Sequence, residues 1–108
     1  MIALTPMAPY YAVVFTTLRT EGDNGYSEMA AEMEKLAKQQ PGYLGIESAR
    51  NQTTREGITV SYWESLDAIK NWKMNADHQF AQQQGKEKWY AQYKLRICKV
   101  ERDYGFGI

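Results

Sequence analysis

A helical repeat in residues 26–37 is the feature of this sequence that most constrains its fold. The apolar side chains of this stretch fall at offsets of 0, 3, 4, 7, 10 and 11 residues, which places them on one face of an α-helix. Asp23 or Asn24 can cap the start of this helix, and Pro41-Gly42 ends it. The repeat predicts an amphipathic helix that packs against another element, through Tyr26, Met29, Ala30, Met33, Leu36 and Ala37.

Runs of aromatic and β-branched residues surround this helix and predict strands. Residues 10–19 (YYAVVFTTLR) precede the helix, and residues 43–51 (YLGIESARN) follow it. The turn NQTTREG leads from there into residues 57–63 (GITVSYW), so these two strands predict an antiparallel hairpin. Residues 89–104 predict a long last strand.

The segment between the third and last strands has helical spacing in two pieces. Ser65 can cap a short helix that reaches Trp72, and Asn75 can cap a second piece that ends at Gly85. The resulting order β-α-β-β-α-β is that of an α+β, ferredoxin-like fold, an antiparallel sheet with both helices on one face. We expect one domain over residues 1–108, with an N-terminal extension (1–9) and a core (10–104).

The strands carry apolar residues on both faces of this sheet. In the first strand Val13 and Phe15 point to one face, and Ala12 and Val14 point to the other. The face away from the helices is usually polar, and a chain of 108 residues offers no spare element to cover an apolar one. We therefore expect a homodimer with two-fold symmetry.

The charge balance and the cysteine count exclude several classes of protein. The 13 basic side chains equal the 13 acidic ones, which argues against nucleic acid as a partner. Cys98 is the one cysteine, so a disulfide framework is excluded and a reducing, cytoplasmic location is expected. The first twenty residues have no basic n-region and contain Pro6 and Pro9, so neither a signal peptide nor a membrane partner is expected.

Trp72 and His78 are the first candidates for a functional site. A helix tryptophan is more often core, but Trp72 can also form a flat wall for an aromatic ligand. His78 follows the predicted helix start at Asn75, where the helix dipole disfavours imidazolium. A neutral histidine there can act as a general base, although an exposed histidine without a function fits equally well.

Two aromatic pairs, Tyr62-Trp63 and Trp89-Tyr90, lie in or next to predicted strands. Because neighbours in a strand point to opposite faces, we expect one member of each pair to face the helices. Core packing explains these pairs, and so does an aromatic cavity in which Tyr62 and Trp89 bind substrate.

Arg96 lies inside the last strand between two apolar residues. Such an arginine needs a partner, because a charge away from water is costly. An ion pair with Glu47 would provide one, and so would an anionic ligand.

No nucleotide-binding, hydrolase or metal-binding motif is present, and one histidine with one cysteine makes a poor zinc site. If the protein is an enzyme, we expect it to use no cofactor and no metal.

The sequence resembles the antibiotic biosynthesis monooxygenase family over about residues 10–104. The resemblance rests on GYSEMAAEMEKLAKQQPGYLGIESAR (25–50), on GITVSYWESLDAIKNWK (57–73), and on a pattern formed by Trp89, Tyr90, Tyr93 and Arg96. It implies a dimeric α+β barrel with a pocket between helices and sheet, to which Trp72 contributes. Relatives in this family oxidise polycyclic quinol-like substrates with molecular oxygen and without metal or flavin.

Another branch of the family degrades haem with a strand asparagine, a helix tryptophan and a helix histidine. The tryptophan of that branch matches Trp72, but Gln82 stands at the histidine position and the first strand has no asparagine. The sequence therefore departs from the haem-degrading pattern.

The sequence-based hypothesis is a cofactor-independent monooxygenase that acts on an aromatic quinol-like small molecule. Trp72 would stack on the substrate, and His78 would be the base or the orienting group. Tyr62 with Arg96 would stabilise the anion that forms. The alternative is a non-catalytic dimer that binds a small aromatic or haem-like ligand.

Overall fold

The computed structural model describes residues 1–82 and 86–108, and its elements follow the predicted order. The four strands form one antiparallel sheet in the order β2-β3-β1-β4. This confirms the ferredoxin-like α+β fold; the predicted helix end at Gly85 lies outside the described residues. The elements are β1 (Tyr10–Arg19), α1 (Tyr26–Lys38), β2 (Tyr43–Arg50), β3 (Glu56–Trp63), α2 (Leu66–Gln82), a 3₁₀ turn (Lys86–Lys88) and β4 (Tyr90–Val100).

At the start of both helices a side-chain oxygen accepts a hydrogen bond from a backbone N–H group. One carboxylate oxygen of Asp23 accepts hydrogen bonds from the backbone N–H and the hydroxyl of Ser27, and the other accepts one from the N–H of Gly25. Gly25 occupies the N-cap position of α1 with a φ of 85°, a left-handed conformation that favours glycine. At α2, the hydroxyl of Ser65 accepts a hydrogen bond from the N–H of Ala68.

The prediction of two helical pieces after β3 is wrong, because α2 runs unbroken through Asn75. The side chain of Asn75 donates to Gln40 Oε1 and to the carbonyl oxygen of Asn71 instead of capping a new helix. His78 therefore lies in the second half of α2 and not in the first turn of a helix, contrary to the prediction.

Two clusters of buried side chains lie between the helices and the sheet. The first contains Trp63, with no exposed surface, together with Val13 and Ile69. The second contains Met29, Trp89 and Tyr90. Val13 and Tyr90 come from the central and edge strands β1 and β4, so the sheet forms the floor under both clusters.

The chain itself covers part of the other sheet face, contrary to the expectation that it has no spare element. The N–H of Ala3 donates to Glu47 Oε2 at 2.9 Å, and the hydroxyl of Tyr62 donates to Glu47 Oε1 at 2.7 Å. Tyr10 packs edge-on against Tyr62, with ring centroids 5.9 Å apart, and its hydroxyl donates to Asp103. The other end of this face is open, and Ile58 there is 49% exposed.

The environment of Tyr62 predicts that the free energy of unfolding falls at alkaline pH. Burial first, and then the hydrogen bond to Glu47, raise the pKa of Tyr62 from 10.0 to about 12. An unfolded tyrosine ionises near pH 10, so the unfolded state loses its proton first and the free energy of unfolding falls as pH rises from 10 towards 12. We expect urea denaturation to show a steeper decline over this window for the wild type than for Tyr62→Phe. Parallel declines would show that Tyr62 has no part in the effect.

None of the helices in the part of the chain that the structure describes is long and apolar enough to cross a membrane.

Candidate functional site

A cavity of about 310 Å³ lies between the sheet and the two helices. This volume is near the lower limit of the range found for pockets that bind small organic molecules. Helix α2 contributes one face to it, at a spacing of three and four residues, through Ile69, Trp72, Lys73, Ala76, Asp77 and Phe80. Helix α1 contributes its apolar face, and the strands contribute their helix-facing side chains, among them Phe15, Thr59, Tyr93 and Leu95.

Trp72 is half-buried and borders one end of this cavity. Its indole ring stacks on that of Trp63, with centroids 6.0 Å apart and planes 21° from parallel. Tyr43 packs edge-on against Trp63 from the other direction, at 5.7 Å. This aromatic stack fixes the orientation of Trp72, which a stacking wall for a flat ligand requires.

Arg50 and Tyr26 border the cavity at the Gly57 end of β3. Gly57 and Trp63 are six residues apart in one strand, roughly 20 Å along the sheet, so this end lies far from the aromatic stack. The guanidinium of Arg50 donates to Thr17 Oγ1 at 2.9 Å, to the hydroxyl of Tyr26 at 3.1 Å, and to a backbone carbonyl.

Tyr90 closes this end of the cavity beside Tyr26. Burial, followed by the nearby Tyr26 and the hydrogen bond with it, raises the pKa of Tyr90 well above the usual range, against the opposing effect of Arg50 and Arg19. Tyr90 is therefore neutral at pH 7 and can donate a hydrogen bond.

The rim of the cavity carries two ion pairs within helices. Lys38 Nζ lies 3.4 Å from Glu34 Oε1 in α1, and Lys73 Nζ lies 2.8 Å from Asp77 Oδ2 in α2. Both pairs are solvent-exposed, and each carboxylate has a cation of its own.

The structure brings Trp72, alone among the five predicted site residues, to the described lining of the cavity. His78 is exposed on α2 outside that lining, and Trp89 is buried in the second core cluster beneath Phe80. Tyr62 and Arg96 lie on the opposite face of the sheet, where Arg96 pairs with Val14 of β1 in register.

Two expectations about these residues are wrong. The ion pair between Arg96 and Glu47 does not form, because β4 and β2 are opposite edges of the sheet. Trp89 and Tyr90 do not point to opposite faces, because Trp89 precedes β4 and packs in the same cluster as Tyr90. The Tyr62-Trp63 pair does divide as expected, with Trp63 under the helices and Tyr62 on the far face.

Sequence reasoning missed Arg50, Tyr26 and Tyr90 as lining residues. The alternation of side chains along β2 could have identified Arg50. It is two residues from Ser48 and four from Ile46, and both of these side chains face the helices. An arginine in that series faces the interior, whereas Arg96 has the parity of the far face.

The model of the family described as antibiotic biosynthesis monooxygenase matches residues 9–84. The chain belongs to this family. The match includes β1 to β3, both helices and Trp72, and so covers most of the cavity wall.

A relative and two solved structures are similar to this chain. The chain is 48% identical over 101 residues to the uncharacterized protein YqjZ of Bacillus subtilis, which covers 94% of this chain and 88% of that one. A variant of SnoaB, a cofactor-independent oxygenase from Streptomyces nogalater, superposes with a TM-score of 0.72 at 10% identity, over 89% of this chain and 97% of that one. A protein from Shewanella oneidensis gives a TM-score of 0.69 at 13% identity, over 88% and 95%. At these identities the two structures show the fold alone.

Proposed function

We propose that this protein is a cofactor-independent monooxygenase that acts on a polycyclic, quinol-like small molecule. The observation that carries the proposal is the aromatic-walled cavity of about 310 Å³, in which Trp72 is held by its stack on Trp63. Family membership supports the class of reaction.

The cavity would bind the substrate, orient it and exclude water from it. A phenol or enol of the substrate loses a proton, and the electron-rich anion then gives an electron to O₂. The resulting radical pair combines on carbon. For an anthrone, the CH₂ group becomes a carbonyl, one oxygen atom enters the product and the other leaves as water. Trp72 would hold the ring plane, and exclusion of water would strengthen each polar contact to the anion.

Oxygen uptake by the metal-stripped protein with a panel of anthrones and reduced quinols tests this proposal. Saturable uptake above autoxidation supports it, and uptake at the autoxidation rate with every substrate rejects it.

The role of His78 as the base stays a prediction, because this residue lies outside the described lining of the cavity. Turnover by His78→Ala that equals wild-type turnover would exclude that role, since loss of a general base costs about 10²-fold or more.

The second candidate is a non-catalytic dimer that binds a small aromatic ligand. The exposed position of His78 favours it, because a binding module needs the aromatic wall but no base. Tight binding of a quinone together with an absence of oxygen uptake would select this alternative.

We also propose that the protein is a homodimer through the sheet face away from the helices. The open part of this face exposes Ile58, beside Val60 in β3 and opposite Thr16 in β1. A stable dimer would cover about 800 Å² of each protomer.

A charge at Ile58 is expected to break this dimer. Ile58→Glu would place a carboxylate in the apolar contact and shift the protein to monomers in sedimentation velocity at micromolar concentration. Ile97→Glu is the matched control, because Ile97 is 48% exposed, close to the 49% of Ile58, but lies on the opposite face. A monomeric wild type, or a dimeric Ile58→Glu variant, would contradict the proposed interface.

A further inference from the structure

The Gly57 end of the cavity holds an arginine whose position is fixed by its surroundings. Gly57 provides the space, since a Cβ atom built there would lie 2.6 Å from Arg50 Cζ. Thr17, Tyr26 and the backbone carbonyl of Arg55 then accept three hydrogen bonds from the two Nη atoms. A guanidinium has five N–H donors, so two of them have no partner among the described contacts.

Arg50 has no carboxylate partner in residues 1–82 and 86–108. The ion pairs there join Lys38 to Glu34, Arg55 to Glu21 and Lys73 to Asp77. The nearby carboxylate of Asp23 offsets part of the charge of a second guanidinium, that of Arg19. Arg19 is buried, its Cζ lies 3.5 Å from the ring centroid of Tyr26, and its hydrogen bonds go to backbone carbonyls.

Two guanidinium groups therefore flank one phenol, because Arg50 Cζ lies 5.3 Å from the same ring centroid. Carbonyls, hydroxyls and a π-face satisfy donors but do not neutralise charge. A partly buried cation without a counter-ion favours an anion that enters from the cavity. The hydroxyls of Tyr26 and Tyr90 lie at the same end of the cavity and offer further polar contacts to a ligand.

We propose that Arg50, with Tyr26 and Tyr90, is the subsite for an acidic oxygen group of the ligand, either a carboxylate or an ionised enol. The inference rests on the proposed function and narrows its substrate class to polycyclic aromatic compounds with an acidic group at one end. The aromatic part of the ligand lies towards Trp72, and the acidic group lies at Arg50. In a reaction with O₂, the same guanidinium stabilises the enolate that forms there.

Calorimetric titration with an anthraquinone carboxylic acid and with its neutral carboxamide tests this subsite, because neither probe needs to react with oxygen. We expect the wild type to bind the carboxylate about tenfold or more tightly than the amide, as a hydrogen-bonded charge pair does. Arg50→Gln should lower the affinity for the carboxylate much more than the affinity for the amide, so that this preference is lost. Arg102→Gln, at an exposed arginine beyond β4, should keep it. A hydroxyquinone titrated above and below its own pKa gives the same comparison for an ionised enol.

Gly57→Ala provides a second variant that keeps every charge. Its Cβ would displace the guanidinium, so the carboxylate preference should fall as in Arg50→Gln. Urea denaturation identifies the folded variants.

Equal affinity of the wild type for the two probes, or no binding of either, would overturn the proposal. A preference that survives in folded Arg50→Gln would overturn it as well. A carboxylate preference without oxygen uptake with any quinol would reject the oxygenase and keep the subsite. Oxygen uptake without the preference would reject the subsite alone.

Discussion

Trp72→Ala is expected to lower kcat/KM for an aromatic substrate by about 100-fold. A substrate that is misplaced by about 1 Å can react about 100-fold more slowly, and the variant loses the contact that positions the substrate. The indole borders the cavity and is oriented by Trp63 at a centroid distance of 6.0 Å. Alanine removes the wall against which the ring of the substrate lies, so the reacting carbon loses its fixed position. Steady-state oxygen uptake against substrate concentration measures the effect.

Two variants separate this role from a general loss of structure. Trp72→Phe keeps an aromatic face and should retain most of the activity. Met74→Ala alters a side chain on the same helix that is 64% exposed and outside the described lining, and should behave as the wild type. Equal kinetics for Trp72→Ala and Met74→Ala would exclude Trp72 from the site.

Trp63→Ala is expected to lower the free energy of unfolding by about 3–5 kcal/mol, as other buried tryptophans do. Trp63 has no exposed surface, packs against Tyr43 and Trp72, and donates its indole N–H to Ser61 Oγ at 2.9 Å. Alanine leaves a cavity and an unpaired hydroxyl acceptor. A domain of this size has about 5–15 kcal/mol in total, so the variant would lose a large share of its stability.

Urea denaturation followed by circular dichroism measures this change. Tyr104→Ala is the control, because Tyr104 is 88% exposed and exposed positions change stability by about 0.5 kcal/mol or less. A loss below about 1 kcal/mol for Trp63→Ala would show that the aromatic stack does not carry the core. Because Trp63 also supports Trp72, a folded Trp63→Phe variant should lose part of its activity as well.

The fold could be predicted from the sequence because local patterns and the global fold agree in it. The strand β1 begins at Tyr10 and ends at Arg19 as the aromatic and β-branched run predicts, and the apolar repeat places α1 within a residue of its observed ends. The error in α2 had a local cause. Asn75 is a good helix cap by residue type, but tertiary contact with Gln40 uses its side chain differently.

The site was less predictable, because it depends on which face of the sheet each side chain occupies. The position of Trp72 on the inner face of α2 follows from helix periodicity. Arg96 and Arg50 are both strand arginines, and only the register of the sheet separates them, with Arg96 opposite Val14 on the far face and Arg50 opposite Gly57 on the cavity side. Whether Tyr62 or Arg96 has any part in ligand binding stays a prediction, for which Arg96→Gln beside Arg50→Gln in the same titration is the test.

The most direct test of the proposed oxygenase is single turnover of an anthrone under ¹⁸O₂ by the metal-stripped protein, followed by mass spectrometry of the quinone. The proposal predicts one labelled oxygen atom per quinone, formed at a rate that saturates with protein and falls in Trp72→Ala. Unlabelled quinone, or labelled quinone that forms at the same rate without the protein, would contradict it.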